Sequence, residues 1–367
     1  MKHWLLALPL AVVLLGFTCN NNQSQPAESN AEGIRVVKSG LSHVWEITWG
    51  PDNHIWLTER DGRVSRINPA DGNTTFSFTI PDVIARGEGG LLGMALDPRF
   101  TQNGFLYVVY NYHEQDDYRE KLVRYTYGSN TLSNPTVLLN GIQAAGIHNG
   151  SRIWITNEES PKIFLTTGDA SRQNLPQQTK TINGKVVRLN ADGSIPADNP
   201  FPGNPVWSFG HRNQQGLVMA NNILYASEHG SVIEDEVNII EKARNYGWPE
   251  VEGPCSGTEI DFCNSQRVVE PIWSSGGNTI AVCGLDYYNN DRIPQWKNSL
   301  LMVTLKNSSL RQLKLSANGR SVASSNTYLK DDYGRLRDVC VSPDGRVFIS
   351  TSNGNDDKII EISRSID

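Results

Sequence analysis

Short apolar runs bounded by turn residues recur along the chain from about residue 35 onward. The six clearest runs are about 55 residues apart, at residues 55–57, 105–110, 162–165, 223–225, 300–303 and 347–349. Turn-forming pairs such as Asn103-Gly104 and Asn221-Asn222 precede several of them. Apolar runs of this length between turn signals are typical of β-strands, and the lack of a long helical pattern favours an all-β chain.

A second apolar run often follows each of these strands, for example at residues 63–67, 121–125 and 184–189. The first and last units are alike, because Pro51-Asp52-Asn53 and Pro343-Asp344-Gly345 each lead into a strand. Weak repeats of this length predict a β-propeller, in which four-stranded blades surround a central channel. A two-sheet sandwich is the alternative, but it explains the repeats less well. The segments around 170–182 and 250–280 are predicted to form loops on one face.

Three polar clusters stand at the ends of predicted strands. His148 lies in a Gly-rich turn before an apolar run, Asp169 follows Thr166-Thr167-Gly168, and Arg212 and Asn213 follow Gly210-His211. Each cluster by itself is an ordinary turn. Because the strand ends of a propeller converge at its channel, the three together predict one shared site. His148 is the candidate general base of that site.

Composition and charge narrow the class of function. Of the 367 residues, 38% are hydrophobic and 20% are charged, which is typical of a globular protein. The net charge of −6 and the lack of a basic run argue against a nucleic-acid partner. No Gly-rich dinucleotide fingerprint follows a strand and opens a helix, so a nicotinamide cofactor is not expected.

The N-terminus has the pattern of an export signal. Lys2 gives a positive start, and the apolar stretch over residues 4–17 is too short for a spanning helix, so residues 1–18 are predicted to be a signal peptide. Cys19 resembles the lipid-attachment cysteine of a bacterial lipoprotein, and the polar stretch over residues 19–34 resembles its tether. Phe17 and Thr18 stand before this cysteine, where small residues are usual. An ordinary secreted protein is the alternative. We expect a periplasmic or outer-membrane lipoprotein whose functional domain covers residues 35–367.

Export would permit disulfide bonds among the remaining cysteines. Cys255 and Cys263 bracket a short loop and are the predicted pair. Cys283 and Cys340 lie far apart in the sequence, which leaves their pairing open.

Eight segments of the chain match, in order, the motifs of one known family. They lie at residues 87–95, 148–152, 184–196, 210–217, 227–230, 235–240, 245–249 and 334–339. With these motifs the chain resembles the soluble glucose/sorbosone dehydrogenase family, and in particular its aldose sugar dehydrogenase branch, over roughly residues 40–365. The resemblance implies a six-bladed β-propeller that uses pyrroloquinoline quinone (PQQ) and calcium. It also implies oxidation of aldose mono- or oligosaccharides at C1 to lactones, with electrons passed to an external acceptor.

The resemblance also assigns residues to the two cofactors. PQQ is a planar tricarboxylate, and Lys306, Arg335 and Arg337 match the family's cations around it; arginine forks bind carboxylates in a bidentate manner. Asn213 and Glu88 match further contacts to PQQ, although a glutamate beside an anionic cofactor is electrostatically awkward. For calcium, the resemblance implies the backbone carbonyls of Gly230 and Ser231. A second calcium would use Asp235, Glu236 and the carbonyl of Tyr246, and whether it is bound stays open.

The mechanism implied by the resemblance has three participating side chains. His148 takes the proton from the C1 hydroxyl of the sugar while hydride leaves C1 for the quinone. Asp169 orients the imidazole and stabilises its charged form. Arg212 stabilises negative charge that develops on the quinone oxygen.

Two other functions compete with this one. A calcium-dependent sugar lactonase on a six-bladed propeller would need a cage of carboxylate and Asn side chains and no cations for a tricarboxylate. Lys306, Arg335 and Arg337 argue against it. A non-enzymatic propeller that binds a partner would be expected to lack the pair formed by His148 and Arg212, and this chain has both.

Cys19→Ser tests the predicted lipid anchor. One acyl chain alone binds membranes weakly, so stable attachment depends on the full lipoprotein modification of Cys19. We expect the variant to move from the membrane to the soluble exported fraction with unchanged sugar oxidation, measured by fractionation and dye reduction. A wild-type chain found wholly in the soluble fraction, with an unmodified N-terminus beyond Cys19, would contradict the anchor.

Overall fold

Strands make up nearly all of the regular structure in the computed structural model, which describes Met1 and residues 33–366. The predicted signal peptide, Cys19 and most of the tether lie outside the described residues. Within them, twenty-four strands form six four-stranded sheets in which neighbouring strands are antiparallel, as in a six-bladed β-propeller. The predicted fold is therefore confirmed, and the sandwich alternative is wrong.

Five of the sheets, or blades, are built from consecutive strands. The first two are β2–β5 (Val44–Trp49, Ile55–Glu59, Arg63–Ile67, Thr74–Thr79) and β6–β9 (Leu91–Leu96, Phe105–Glu114, Asp117–Gly128, Thr131–Gln143). The third and fourth are β10–β13 (Gly150–Ile155, Lys162–Thr167, Lys185–Asn190, Val206–Phe209) and β14–β17 (Gln214–Ala220, Ile223–Glu228, Glu236–Ile239, Trp273–Ser274). The fifth is β18–β21 (Val282–Tyr288, Ser299–Thr304, Ser309–Leu315, Val322–Tyr328).

The sixth blade joins the two ends of the described chain. It contains β22–β24 (Leu336–Val341, Val347–Thr351, Asp357–Ile362), and β1 (Ile34–Leu41) pairs with β24 as its outer strand. The register runs from Ile34 opposite Ile362 to Leu41 opposite Asp357. The ring is therefore closed by hydrogen bonds between residues more than 300 positions apart.

The six apolar runs of the sequence are the second strands of the six blades, which are β3, β7, β11, β15, β19 and β23. These strands are buried on both faces by the neighbouring strands and blades; all five residues of β3, for example, are buried. Continuous burial explains why their sequences are unbroken apolar runs.

The prediction for residues 250–280 was incomplete, because this segment also contains the short helix α2 (Ile260–Gln266) and strand β17. Helix α1 (Phe100–Asn103) precedes β7.

Large side chains fill the spaces between blades. Between the first two blades, the buried ring of Trp56 lies 5.6 Å from Phe76, 5.3 Å from Phe100 and 5.0 Å from Tyr127, mostly in tilted or edge-on arrangements. Such arrangements suit the charge distribution of aromatic rings. Each inner strand also contacts the inner strands of the two adjacent blades, so the blades form one continuous ring.

A buried ion-pair network lies in the channel at the centre of the ring. Arg152 of β10 is 4% exposed, and its Nη1 lies 2.6 Å from Oε1 of Glu46 on β2 and 2.9 Å from Oδ2 of Asp338 on β22. Its Nε donates to the carbonyl of Gln215 on β14 at 3.0 Å, and its guanidinium stacks 4.3 Å from the ring of Trp45. One side chain thus connects four blades.

The predicted disulfide is present, because Cys255 and Cys263 are bonded to each other. It ties α2 to the loop that precedes it. Cys283 and Cys340 are both free and buried, which settles the pairing that the sequence left open. Among the described residues, no helix has the length and apolar character needed to cross a membrane.

Arg152→Met tests how much the channel network stabilises the ring. The variant keeps an apolar stem but leaves the buried Glu46 and Asp338 without their cation, which should lower the free energy of unfolding at pH 7 by about 3–5 kcal/mol. Burial raises the pKa of Glu46 well above its usual range, and the charge of Arg152 opposes this rise. Without the cation the pKa of Glu46 rises further in the folded state, so the deficit should shrink as the pH falls and Glu46 takes up a proton. Urea unfolding at several pH values measures both effects.

The control is Lys358→Met, which removes an exposed pair with Asp356. That change should alter the free energy of unfolding by no more than about 1 kcal/mol. Equal losses in the two variants would show that the network adds nothing beyond a surface contact.

Candidate functional site

The predicted site residues lie at one end of the ring because of how the strands run. In each blade the inner strand starts at this end, and the second strand, antiparallel to it, finishes there. His148 comes just before the inner strand β10, and Arg212 comes just before the inner strand β14. Asp169 follows the end of the second strand β11. Residues from different blades therefore meet at the mouth of the channel.

His148 and Asp169 form a hydrogen-bonded pair at this mouth. Nδ1 of His148 lies 2.8 Å from Oδ1 of Asp169. The imidazole is 16% exposed, whereas the carboxylate is fully buried. Asp169 also accepts hydrogen bonds from the backbone N–H of Ser171 at 2.7 Å and from Nε1 of Trp248 at 2.9 Å. This arrangement fixes the ring and leaves Nε2 of His148 as the nitrogen that can accept a proton.

Backbone hydrogen bonds join the three turns to one another. The N–H of Ala170 donates to the carbonyl of His148 at 3.0 Å, and the N–H of Asp169 donates to the carbonyl of Arg212 at 2.8 Å. A Cβ at Gly168 would come within 1.9 Å of the His148 carbonyl, so only glycine permits this approach. His148 itself has a φ of 59°, an uncommon left-handed conformation for a residue other than glycine. Such conformations persist where the surrounding structure holds them, often at active sites.

Arg212 stands beside this pair with its backbone firmly held. Its N–H donates to Oε1 of Glu228, and Oε2 of the same carboxylate lies 2.9 Å from Nδ1 of the buried His211. The guanidinium carbon lies 5.2 Å from the centre of the Trp248 ring, and Nη1 reaches the carbonyl of His229 at 3.4 Å. Arg212 Nε is buried without a hydrogen-bond partner in the described part of the chain.

A cavity of about 490 Å³ opens onto these groups. His148, Asp169, Arg212 and Trp248 line it together with residues 171–174 of the loop that follows β11. The sequence predicted loops on one face around residues 170–182 and 250–280, and residues 171–174 of the first segment line this cavity. A second cavity of about 450 Å³ lies at the other end of the channel network and contains none of the predicted site residues.

Arginines and one glutamate surround the channel mouth next to this cavity. Arg337 is 6% exposed and donates from Nη1 to Oε1 of Gln215 at 2.9 Å, while its Nε has no partner among the described residues. Burial lowers the pKa of Arg60, and the neighbouring charges of Arg337 and Arg335 lower it further, whereas Glu88 opposes them. The guanidinium groups are therefore close enough to repel one another, as in a site for an anion. Arg60 was not predicted, because nothing in its local sequence distinguishes it.

Asn213 is connected to the same network. Its Oδ1 accepts hydrogen bonds from the N–H of Gly150 at 3.1 Å and from Nε2 of Gln215 at 3.1 Å. Its Nδ2 is buried and has no partner in the described residues. A buried donor without a partner is unfavourable unless a ligand satisfies it.

His229 is a further residue at the mouth to which the sequence assigned no role. Its Nε2 lies 2.5 Å from the carbonyl of Val282. Burial lowers its pKa to about 4, although Glu88 acts in the opposite direction. His229 is therefore neutral at pH 7 and is not a second cation. It follows Glu228 in one of the quoted motifs, which was the available signal.

Gly230 and Ser231 follow directly in a loop beside the mouth. Within the described residues, their carbonyl oxygens accept no hydrogen bond, whereas the N–H of Ser231 and its Oγ both bind the Glu252 carboxylate. Lys306 lies next to this loop and donates to Oγ1 of Thr279 at 3.0 Å. Free carbonyls next to a carboxylate are suitable oxygen ligands for a hard cation.

The structure gives Asp235 and Glu236 different surroundings. Asp235 is buried, and its carboxylate accepts hydrogen bonds from the N–H groups of Gly230, Ile280 and Ala281 at 3.0, 2.6 and 2.6 Å, so it holds two loops together. Glu236 accepts from the N–H of Gly253 at 2.8 Å and from Nδ2 of Asn238 at 2.7 Å.

Burial raises the pKa of Glu236 to about 8, and the charge of Glu228 contributes to the increase. The ring of Tyr246 stacks 4.4 Å from that of His211, and its hydroxyl donates to the Ile239 carbonyl at 2.5 Å. Among the described residues, no group of three or more His, Cys, Asp or Glu side chains is arranged to hold a metal ion. The second calcium at Asp235, Glu236 and the carbonyl of Tyr246 therefore stays a prediction.

Comparison with known proteins places this geometry in a family. The model of the family described as glucose/sorbosone dehydrogenase matches residues 41–361. The chain is 32% identical to aldose sugar dehydrogenase YliI of Escherichia coli, over 90% of this chain and 92% of that protein. It is 30% identical to quinoprotein glucose dehydrogenase B of Acinetobacter calcoaceticus, over 88% of this chain and 86% of that protein. The PQQ-bound aldose sugar dehydrogenase of Streptomyces coelicolor has a similar structure, with a TM-score of 0.78, 31% identity, and coverage of 92% and 98%.

Proposed function

The chain belongs to the glucose/sorbosone dehydrogenase family, and on that premise we propose that it oxidises aldose sugars at C1 to lactones with PQQ and calcium. The electrons would pass to an external acceptor. The observation that carries the proposal is the His148–Asp169 pair, which faces Arg212 across one cavity close to the buried Arg337 and its neighbours Arg60 and Arg335.

The buried donors at the channel mouth support PQQ as the cofactor. PQQ carries three carboxylates, and the mouth offers unsatisfied N–H groups on Arg212, Asn213 and Arg337. Lys306 and Arg335 would add positive charge around them, as charge-assisted hydrogen bonds to carboxylates require. Glu88 would lie against the same cofactor, and the repulsion between Arg60 and Arg337 would be relieved by the anion.

The loop at Gly230 and Ser231 supports a calcium ion beside PQQ. Its two free carbonyls would be protein ligands, and calcium accepts several oxygen ligands in flexible geometry. For a second calcium, Glu236 is the strongest of the predicted ligands, because it is a partly buried carboxyl near Glu228 and Glu252. Asp235 already holds backbone N–H groups, and Tyr246 would contribute only its carbonyl oxygen. The second ion stays a prediction.

The residues around the cavity would act as follows. When bound, PQQ supplies the quinone that accepts hydride from C1 of the sugar. His148 accepts the proton of the C1 hydroxyl at Nε2, and Asp169 holds the imidazole by Nδ1 and stabilises its charged form. Arg212 provides a fixed positive charge opposite this pair, where it stabilises negative charge that develops during the reaction. Residues 171–174 position the sugar over His148.

Export as a lipoprotein remains part of the proposal. It rests on the sequence of residues 1–34 alone, since Cys19 lies outside the described residues. The Cys255–Cys263 disulfide is consistent with an oxidising compartment.

Reconstitution tests the function directly. We expect the purified apoprotein to be inactive and to reduce a dye in a sugar-dependent manner only when PQQ and Ca²⁺ are both added. The measurement is dye reduction across a panel of mono- and disaccharides, with lactone identified as the product. Activity with NAD alone, or hydrolysis of sugar lactones without PQQ, would place the chain in another functional class.

Two variants separate the base from the cofactor contacts. His148→Gln should lower the turnover rate by about 10²–10⁴-fold and leave PQQ affinity nearly unchanged, because the base acts in the chemical step. Lys306→Ala should weaken PQQ binding first and recover rate at high PQQ. Titration of each apoprotein with PQQ, followed by absorbance and by activity, measures both quantities.

Lys314→Ala is the control for the lysine variant, since Lys314 is a half-buried lysine whose Nζ contacts the Lys297 carbonyl in the outer part of the fifth blade. It should match the wild type in both assays. The role assignment is wrong if the histidine and Lys306 variants lose PQQ affinity equally and both regain the full rate at saturating PQQ.

A further inference from the structure

Trp248 contacts both the His148–Asp169 pair, through Asp169, and Arg212. Its Nε1–H donates to Oδ2 of Asp169 at 2.9 Å, and its ring lies 5.2 Å from the guanidinium carbon of Arg212. The residue is 7% exposed and lines the 490 Å³ cavity. No prediction from the sequence gave it a role, although it lies in the motif of residues 245–249.

The two oxygens of the Asp169 carboxylate have different partners. Oδ1 faces Nδ1 of His148 and the N–H of Ser171, whereas Oδ2 accepts, in the described part of the chain, the indole N–H alone. A hydrogen bond to a carboxylate stabilises its charged form and makes it less basic. The indole N–H therefore sets how strongly Asp169 attracts a proton onto the imidazole that it faces.

The Trp248 backbone is anchored to the turn that carries Arg212. The N–H of Trp248 donates to the Gly210 carbonyl at 2.9 Å. Its own carbonyl accepts from Nε2 of Gln177 at 2.8 Å, and the same amide group contacts Asn245 at 3.1 Å. The backbone of Trp248 is thus held at both its N–H and its carbonyl, and the indole is held by Asp169, which lets the ring define the orientation of the Arg212 guanidinium.

We propose that Trp248 is a positioning residue that sets the proton affinity of the His148–Asp169 pair and the orientation of Arg212. The proposal deepens the proposed function and rests on it, since His148 is the base only if the chain oxidises sugars. Its direct effect, however, is on the titration of a histidine in the apoprotein, which can be measured without cofactor or substrate.

Other charged groups around the pair come from every neighbouring element. Arg172 in the loop after β11 and Arg212 before β14 line the same cavity. The N–H of Glu88, before β6, binds the carbonyl of Gly146, two residues before His148, and Lys185 of β12 pairs with Thr167, two residues before Asp169. Burial lowers the pKa of Lys185 to about 7, and its Nζ donates to three backbone carbonyls. None of these groups is altered by a change at Trp248 that keeps an aromatic ring.

Trp248→Phe removes the indole N–H and keeps a ring beside Arg212. Without the N–H, Asp169 becomes more basic and stabilises the imidazolium more strongly, so His148 should hold its proton to higher pH. We expect the midpoint of the His148 ring signals, followed by NMR in apoprotein with labelled histidine, to move upward by about 0.5–1 pH unit. The chain has seven histidines, and the spectrum of His148→Gln identifies the signal.

The reconstituted enzyme gives the second readout. With PQQ, Ca²⁺ and D-glucose as the probe sugar, the acidic limb of the pH–rate profile should move upward with the NMR midpoint. At its optimum the kcat of Trp248→Phe should fall by about ten-fold, while KM and PQQ affinity change little. Trp248→Leu, which also removes the ring beside Arg212, should lower kcat further without a larger shift of the midpoint.

Trp207→Phe is the matched control. Trp207 also stacks against an arginine, Arg188 at 5.0 Å, but it lies on the outer strand of the third blade and contacts none of the site residues. The Trp207→Phe variant should leave the titration midpoint of His148 and the pH–rate profile unchanged.

An unmoved titration midpoint of His148 in a folded Trp248→Phe variant would overturn the proposal, whatever happens to the stability of that variant. A wild-type protein that PQQ does not activate would overturn the proposed function instead, and the apoprotein titration would still decide the role of Trp248.

Discussion

The ring depends on one interaction in its channel, the contact of the Arg152 guanidinium with Glu46 and Asp338. A buried ionisable group is unfavourable when it stands alone, and the contacts of Arg152 with the two carboxyl groups compensate for their burial. Arg152 thereby opposes the rise that burial causes in the pKa of Glu46. Because the three residues belong to three inner strands, the compensation is complete only when those blades stand in the correct register. The same arginine binds the carbonyl of Gln215, whose side chain contacts Arg337 and Asn213 at the mouth. The position of the proposed cofactor site is therefore linked to the centre of the fold.

At the mouth of the channel, by contrast, several buried hydrogen-bond donors lack acceptors within the described part of the chain. Several donors on Arg212, Asn213 and Arg337 are buried without acceptors in the described residues. Arg337 and Arg335 also repel the neighbouring Arg60. Such a surface is unfavourable for the protein alone and favourable for an anion that accepts from all of them at once. The strained backbone of His148 belongs to the same pattern, since it is held by hydrogen bonds from the neighbouring turns. The mouth is thus arranged for a ligand, whereas in the channel Arg152 faces two carboxyl groups of the protein itself.

The sequence predicted the parts of this molecule that depend on local patterns. The six apolar runs mark the second strands of the blades, because those strands are buried on both faces. The short spacing between Cys255 and Cys263 was sufficient to predict their disulfide. His148, Asp169 and Arg212 were found because each stands next to a strand end with a turn signal. Trp248 and Arg60 were missed because their roles come from contacts with residues far away in the sequence; Asp169 is 79 positions from Trp248. The ligands for a second calcium were inferred from a motif, and the backbone hydrogen bonds that occupy Asp235 could not be read from it.

The pairing of β1 with β24 has a consequence for the order in which the chain can fold. Strand β1 has no partner until β24 has been synthesised, and the inner strands β2 and β22 meet across the same interval. Contacts of such high sequence separation form slowly, because the chain must first lose the entropy of closing a long loop. Before closure, β24 is an open sheet edge with unpaired backbone groups, a state in which partly folded chains pair with one another. The pairing of β1 with β24 therefore also removes a sheet edge at which partly folded chains could aggregate.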